Sequence, residues 1–196
     1  MPIKPGREYR NISSLVLPEE DSDQSQYRVQ GRAVVFDTPT CLYEWDGVKY
    51  YEVIARGAFD HCDMSDVIMN YNHGGNVVAR LRNKTLRLLI SDVGMDIEAD
   101  LGGTVEGRNL YEEIKGGYID KMSFSFSVEE SSYNNETHTR TITKIKKLYD
   151  VSAVDIPAYN ETSISARRFF EEEHSKESRD LEQDRRRKCL IALTWL

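Results

Sequence analysis

Three serines, Ser123, Ser125 and Ser127, alternate with apolar residues, and a serine hydroxyl can attack a carbonyl carbon once a base removes its proton. Strict alternation is typical of a β-strand, in which successive side chains point to opposite faces. The apolar set must face the core, so the pattern predicts the serines on the outer face, where a nucleophile could meet a polypeptide. An ordinary half-buried strand would show the same pattern. The apolar residues are Met122, Phe124, Phe126 and Val128.

His73 is a candidate base for such a nucleophile. It follows the apolar residues 67–69 and precedes Gly74 and Gly75, which places it at the end of a strand before a flexible turn. Imidazole titrates near neutrality, so it can accept a serine proton and return it to a leaving amine. A histidine in a turn is equally compatible with an ordinary surface position. The other histidines lie in a helix start, a polar loop and a charged tail: His61, His138 and His174.

The third group of a serine-based site is a side chain that orients the imidazole, commonly a carboxylate. Asp150 and Asp155 both lie among apolar residues of a late strand. A carboxylate in apolar surroundings needs a partner, so each is either half of a salt bridge or functional. The strand pattern leaves both open.

A cysteine-based site is the alternative, because His61 is followed by Cys62. Residues adjacent in sequence seldom point at one another, which argues against a nucleophile and base pair there. The three cysteines, which include Cys41 and Cys189, show no CxxC spacing. The sequence therefore suggests neither a zinc site nor a disulfide framework, and a reducing compartment is expected.

Composition narrows the function classes. Hydrophobic residues make up 39% of the 196-residue chain and charged residues 30%, with a net charge of −7. An acidic surface repels phosphate backbones, so nucleic acid is not expected as a main partner. No run of 18 apolar residues and no secretory apolar stretch is present, so we expect an intracellular, soluble protein without membrane insertion.

The chain divides into three parts that differ in composition and in hydrophobic periodicity. Residues 1–26 are polar and acidic and predict a flexible N-terminal arm, although Ile12, Leu15 and Leu17 could supply an edge strand. Residues 27–168 read as a mainly β domain with an antiparallel barrel or sandwich and one helix around Leu110 and Ile114. Residues 169–196 predict a charged helical tail that docks on the body or on a second copy. A scaffold-like interaction helix and a segment removed by self-cleavage are the alternatives. The predicted strands lie within residues 27–36, 48–59, 67–73, 85–90, 94–100, 122–128 and 139–156.

Five motifs in order resemble the caudoviral prohead protease family, whose fold and catalytic layout are similar to those of the herpesvirus protease assemblin. The resemblance covers roughly residues 27–168 and implies a herpesvirus-protease-like antiparallel β-barrel core with flanking helices, in an α+β domain that is mainly β. The motifs are GRAVVF at 31–36, EVI leading to GAFD at 52–60, YNH at 71–73, GGYIDKMSFSF at 116–126 and DVSAVDIPAY at 150–159.

The resemblance implies roles for individual residues. Ser123 would be the nucleophile, His73 the base and Asp150 the third member, at a position where the family commonly has glutamate. The chain also departs from the family at Ser125, where glycine or alanine is more usual, which makes Ser125 an alternate nucleophile to test. Arg56 stands where proline often precedes the Gly-Ala-Phe motif. No cofactor and no metal is implied.

The implied function is that of a serine endopeptidase acting in prohead maturation. By this analogy the substrates are the scaffold, or the scaffolding arm of the major capsid protein, and the protease itself, with action in the host cytoplasm inside the assembling prohead. A homodimer is expected by analogy with assemblin. Two other classes stay open: a non-catalytic capsid assembly or scaffolding protein that retains the barrel, and an unrelated β-barrel binding module.

Overall fold

The computed structural model describes residues 6–18, 26–155 and 159–193, and these parts contain ten strands and two helices. The helices are α1 (Val105–Lys115) and α2 (Tyr159–Leu193). No helix in these ranges is both long and apolar enough to span a membrane. The strands are β1 (Glu8–Val16), β2 (Arg28–Val35), β3 (Thr40–Trp45), β4 (Val48–Ile54), β5 (Ile68–Tyr71), β6 (Gly74–Arg80), β7 (Leu86–Ile90), β8 (Gly94–Asp100), β9 (Lys121–Asn134) and β10 (Thr139–Val154).

The first sheet is built around the two longest strands, β9 and β10, which pair antiparallel along most of their length. The other edge of β10 pairs in parallel with two short strands, first β4 and then β5. Strand β3 continues the sheet beyond β4, and β6 continues it beyond β5. Strand β10 therefore pairs with three strands, β9, β4 and β5.

The second sheet has the order β1-β2-β8-β7, and β1 joins it to the first sheet. Residues 8–14 of β1 pair with β9, whereas Leu15 and Val16 pair with β2. Among the described strands, β3 and β7 are the two ends of the strand order and do not pair with each other. The prediction of a closed antiparallel barrel is therefore wrong, because period-2 patterns predict strands but carry no information on which strands pair.

All seven predicted strand segments contain strands, so the mainly β prediction is confirmed. The predicted helix is present as α1, with Leu110 and Ile114 buried and the Thr104 hydroxyl accepting a hydrogen bond from the Gly107 amide as its N-cap. Strands β3 and β6 were not predicted. Strand β1 lies in the segment predicted as a flexible arm, and it is an inner strand between β9 and β2 rather than an edge strand. Residues 1–5 and 19–25 of that segment lie outside the described residues.

The C-terminal helix α2 begins before the predicted tail and packs against the first sheet. Its Phe170 is fully buried against an aromatic cluster, with its ring centroid 5.2 Å from that of Tyr50. The described side chains of residues 178–188 are all exposed. The tail is thus docked at its start and projects into solvent further on. The other aromatic side chains of this cluster are Tyr43, Tyr133 and Phe169.

A buried cluster of four charges ties β1, β4 and β10 together. Arg10 donates to Glu52 through Nε at 2.5 Å and through Nη2 at 2.7 Å, and Arg140 donates to Glu8 at 2.9 Å and to Glu52 at 3.3 Å. Burial would raise the pKa of Glu8, but the two guanidinium groups more than offset it, and its pKa lies below the usual value. The centroid of the Phe169 ring lies 4.2 Å from the Arg140 guanidinium carbon, so α2 packs on the cluster through Phe169.

We expect Glu52→Gln to lower the free energy of unfolding by about 3–5 kcal/mol, because it leaves two buried guanidinium groups with one carboxylate. Urea denaturation followed by circular dichroism measures the change. Glu130→Gln is the matched control, since Glu130 pairs with Lys144 on the exposed surface. An equal loss in both variants would show that burial of the cluster is not what makes it stabilising.

We expect Gly107→Ala to destabilise the fold by about 1–3 kcal/mol, because a Cβ at this position of α1 would lie 2.3 Å from the carbonyl oxygen of Leu101. Backbone must move to accommodate it, although alanine is otherwise the better helix former. Gly103→Ala, where a Cβ meets no atom within 4 Å, is the control and should leave the thermal midpoint nearly unchanged. A Gly107→Ala protein as stable as the parent would contradict this close approach.

Candidate active site

The register of β9 and β10 places polar side chains opposite one another on one face of the first sheet. Ser123 lies opposite Ser152, and Ser125 lies opposite Asp150. Directly opposed residues of antiparallel strands point to the same face, so these four side chains share it. Ser123 and Asp150 are thus diagonal neighbours, at a separation that an imidazole can bridge.

The imidazole comes from the hairpin between β5 and β6. Asn72 and His73 are the two residues of its turn, and both have positive φ, 50° and 52°, as a type I′ turn requires. The Asn72 amide donates to the carbonyl oxygen of Ala153 at 2.9 Å, which fixes the turn to β10. The flexible turn predicted after His73 is therefore a tight two-residue turn that includes His73, because β6 begins at Gly74.

The turn brings the three predicted residues together. His73 Nε2 lies 2.6 Å from Ser123 Oγ, and His73 Nδ1 is hydrogen-bonded to Asp150 Oδ1. With the Nδ1 proton donated to the carboxylate, Nε2 presents its lone pair to the serine hydroxyl, which is the arrangement a general base requires. All three residues are buried, with exposed fractions of 1% for Ser123, 3% for Asp150 and 7% for His73.

Residues at the start of β1 contact the same group. The ring of Tyr9 meets the His73 ring edge to face, with centroids 4.8 Å apart. Arg7 Nη1 lies 3.9 Å from Asp150 Oδ2, and its guanidinium carbon lies 3.5 Å from the centroid of the Tyr149 ring. The N-terminal segment therefore borders the imidazole and the second carboxylate oxygen, which the sequence did not predict.

The serine face of β9 is not the open surface that the alternation predicted. Ser123 and Ser125 are as buried as Phe124 and Phe126 on the opposite face. Alternation separates the two faces of a strand but does not say whether the polar face is covered, and here the His73 turn lies over Ser123. The prediction of an outer serine face is therefore wrong for these two residues.

The alternative carboxylate, Asp155, and the alternative serine, Ser125, are not hydrogen-bonded to His73 in the part of the chain that the structure describes. Asp155 is exposed and accepts a hydrogen bond from the Tyr71 hydroxyl at 2.8 Å. The Ser125 hydroxyl is buried and has no hydrogen-bond partner within the described ranges. Geometry favours Asp150 over Asp155 and Ser123 over Ser125.

The cysteine alternative lacks an activated thiol. Burial raises the pKa of Cys62 to about 11, so the thiol is protonated near neutrality, and His61 is exposed. His138 lies 3.3 Å from the Tyr133 hydroxyl, and the ring of His174 lies beside that of Trp45. In the described part of the chain, no three His, Cys, Asp or Glu residues are grouped so that they could hold a metal ion.

Two further polar residues adjoin the bonded group and were missed. Ser152 Oγ lies 3.0 Å from Asp150 Oδ1 and 3.1 Å from His73 Nδ1, and Asn70 on β5 lies beyond it. The signal for Ser152 was present in the sequence, because it follows Asp150 by two positions in a strand and must share its face. Nothing in the sequence places Asn70 there, since its approach depends on β5 pairing with β10.

Comparison with known proteins supports the chemistry that this geometry permits. A family model described as caudovirus prohead serine protease matches residues 13–177. Searches of curated proteins and of solved structures found no match, so the likeness to the herpesvirus protease stays a prediction. The family match covers most of the chain and includes Ser123, His73 and Asp150. The chain therefore belongs to the caudovirus prohead serine proteases.

Proposed function

We propose that Ser123, His73 and Asp150 form the catalytic triad of a serine endopeptidase. The observation that carries the proposal is the position of the His73 ring, with Nε2 2.6 Å from Ser123 Oγ and Nδ1 bonded to Asp150. A serine hydroxyl is a weak nucleophile until a base within hydrogen-bond reach accepts its proton.

In the proposed reaction, Ser123 Oγ attacks the scissile carbonyl carbon while His73 Nε2 takes the hydroxyl proton. The tetrahedral intermediate collapses when His73 gives that proton to the leaving amine, which breaks the peptide bond and leaves an acyl-enzyme. Water, deprotonated by the same nitrogen, then attacks the ester and releases the second product. Asp150 stays ionised throughout, orients the ring and stabilises the imidazolium form.

The aspartate at position 150 is compatible with this role although the family commonly has glutamate there. A shorter side chain needs a nearer backbone. Asn72 donates to the carbonyl oxygen of Ala153, so the turn that carries His73 is fixed close to the strand that carries Asp150. This contact supports Asp150 as the third member.

The family supports a role in capsid maturation. Within that role, we propose that the substrates are the scaffold, or the scaffolding arm of the major capsid protein, and the protease itself, inside a prohead assembling in the host cytoplasm. Confinement with tethered substrates raises the effective concentration, which lets a weak site act on a few sequences. The acidic net charge favours a protein substrate over nucleic acid. Dimer formation is part of the proposal by analogy alone.

We expect Ser123→Ala to reduce cleavage of the capsid protein and scaffold by at least about a thousandfold, because no other hydroxyl contacts His73 Nε2 in the described residues. The measurement is gel analysis of the substrates when they are co-expressed with the protease in an assembling system. Ser125→Ala is the matched control and should retain activity. Unchanged processing with Ser123→Ala would instead favour a non-catalytic assembly protein. Loss of activity with Ser125→Ala but not with Ser123→Ala would show that Ser125 is the nucleophile.

Self-cleavage is tested by intact-mass measurement of the purified chain over time. We expect the parent protein to lose mass through cuts in its N-terminal or C-terminal segments, since the described side chains at 178–188 are exposed to solvent and a second protease molecule could reach them. The Ser123→Ala protein should keep its full mass, and adding a small amount of active protease should restore the cuts. Identical, stable masses in all three samples would remove self-cleavage from the proposal.

A further inference from the structure

A buried polar pair adjoins the triad and has no role in the proton transfers described above. Ser152 is fully buried, and Asn70 is 5% exposed. Ser152 Oγ lies 2.5 Å from Asn70 Oδ1 and 3.0 Å from Asp150 Oδ1, and both oxygens can accept its proton. A buried hydroxyl and a buried amide are costly to desolvate, so their contact with each other, and that of the hydroxyl with a carboxylate, calls for a functional or structural reason.

The backbone holds this pair with little freedom. Ser152 is paired on one side with Ser123 and on the other with Asn70, so the position sits between two hydrogen-bonded neighbours. Both side chains are short and lie on strands rather than on loops. A side chain carried by a doubly paired strand can fix a neighbouring group more closely than one on a mobile loop.

The hydroxyl has one proton and two neighbours that can accept it. A carboxylate is the stronger acceptor because hydrogen bonds to ionised groups are roughly twice as strong as neutral ones. Asn70 turns its Oδ1 toward Ser152 Oγ at 2.5 Å. When Ser152 donates its proton to Asp150 Oδ1, Asn70 must present Nδ2 there instead, which a half-turn of the side-chain amide achieves because its two ends are nearly equal in size. In that arrangement the hydrogen bonds converge on Asp150 Oδ1, from Asn70 through Ser152 on one side and from His73 Nδ1 on the other.

An anchor for Asp150 is useful because, apart from Ser152, few polar groups in the described residues fix its carboxylate. Oδ1 already accepts from His73 Nδ1, and the nearest cation, Arg7, lies 3.9 Å from Oδ2 on a partly exposed side chain. Without the Ser152 hydroxyl, His73 Nδ1 would be the one remaining donor to Oδ1 among the described side chains, and the carboxylate could rotate toward Arg7. The imidazole would then lose the alignment that Ser123 needs.

We propose that Ser152, held by Asn70, is a positioning residue that fixes the Asp150 carboxylate and thereby the His73 ring for attack by Ser123. The inference rests on the proposed function. It adds a fourth and a fifth residue to the group on which peptide hydrolysis depends, and both act through Asp150 rather than on the substrate.

The first test compares the kinetics of two serine-to-alanine changes on the same sheet face. We expect Ser152→Ala to lower kcat about ten- to hundredfold with KM within about twofold, as loss of a hydrogen bond to a charged group implies. Ser125→Ala removes the same atom from an equally buried residue opposite Asp150 whose hydroxyl has no partner in the described ranges, and it should leave kcat within about twofold. Parental kcat in Ser152→Ala, or an equal loss in both variants, overturns the proposal.

The second test asks whether Ser152 acts through Asp150. In an Asp150→Asn background, Ser152→Ala should cost less than about threefold further activity, because the carboxylate it positions is already gone. Losses that multiply in the double variant would show that Ser152 acts elsewhere and would overturn the proposal. If Ser152→Ala does not fold, Asn70→Ala replaces it and should lower kcat about three- to tenfold at unchanged KM; parental kcat there overturns the proposal equally.

A spectroscopic readout separates this inference from the proposed function. The proton between His73 Nδ1 and Asp150 should give a low-field resonance in the ¹H NMR spectrum of the parent protein that is retained in Ser125→Ala and shifted or lost in Ser152→Ala. This comparison needs no substrate. If Ser123→Ala leaves proteolysis unchanged, the proposed function fails, yet an altered resonance in Ser152→Ala alone still supports the positioning role. An unaltered resonance in that variant contradicts it.

Discussion

Strand β10 carries hydrogen bonds on both edges at residues 150–153, antiparallel to β9 on one side and parallel to β5 on the other. Ladders on both edges leave the strand little room to slide or rotate, so the distance from the β9 serine to the β5–β6 turn is set by the sheet itself. Ser123, His73 and Asp150 come from β9, from the β5–β6 turn and from β10, and in the described structure these elements meet at this segment. The site exists because this one segment is paired twice.

This arrangement requires unfavourable backbone conformations and the burial of polar side chains. Asn72 and His73 both hold positive φ, which costs about 1 kcal/mol or more for each non-glycine residue. The group also buries a carboxylate, an imidazole and several hydroxyls. Burial strengthens the hydrogen bonds among them, because the local dielectric is low and water does not compete. Tertiary packing must supply the free energy that keeps the turn in this conformation.

Strand β1 extends this dependence to the rest of the chain. One of its faces carries Tyr9 to the His73 ring, and the other carries Arg10 into the buried charge cluster on which the start of α2 packs. Alternation along a single strand thus connects the covering of the active site to the docking of the C-terminal helix. Strand β1, which lies in a segment predicted to be a flexible arm, therefore helps to position the candidate active site.

The sequence by itself determined seven of the ten described strands, the helix α1 and the residue types of the hydrogen-bonded group, because period-2 and helical patterns, caps and ordered motifs are local properties. It could also have indicated Ser152, which shares a strand face with Asp150. Only the tertiary structure decided that Asp150 rather than Asp155 meets His73, that the serine face is covered, and that the sheets stay open. Each of these depends on which strands pair and in which register, and a local sequence pattern does not determine how distant segments pair.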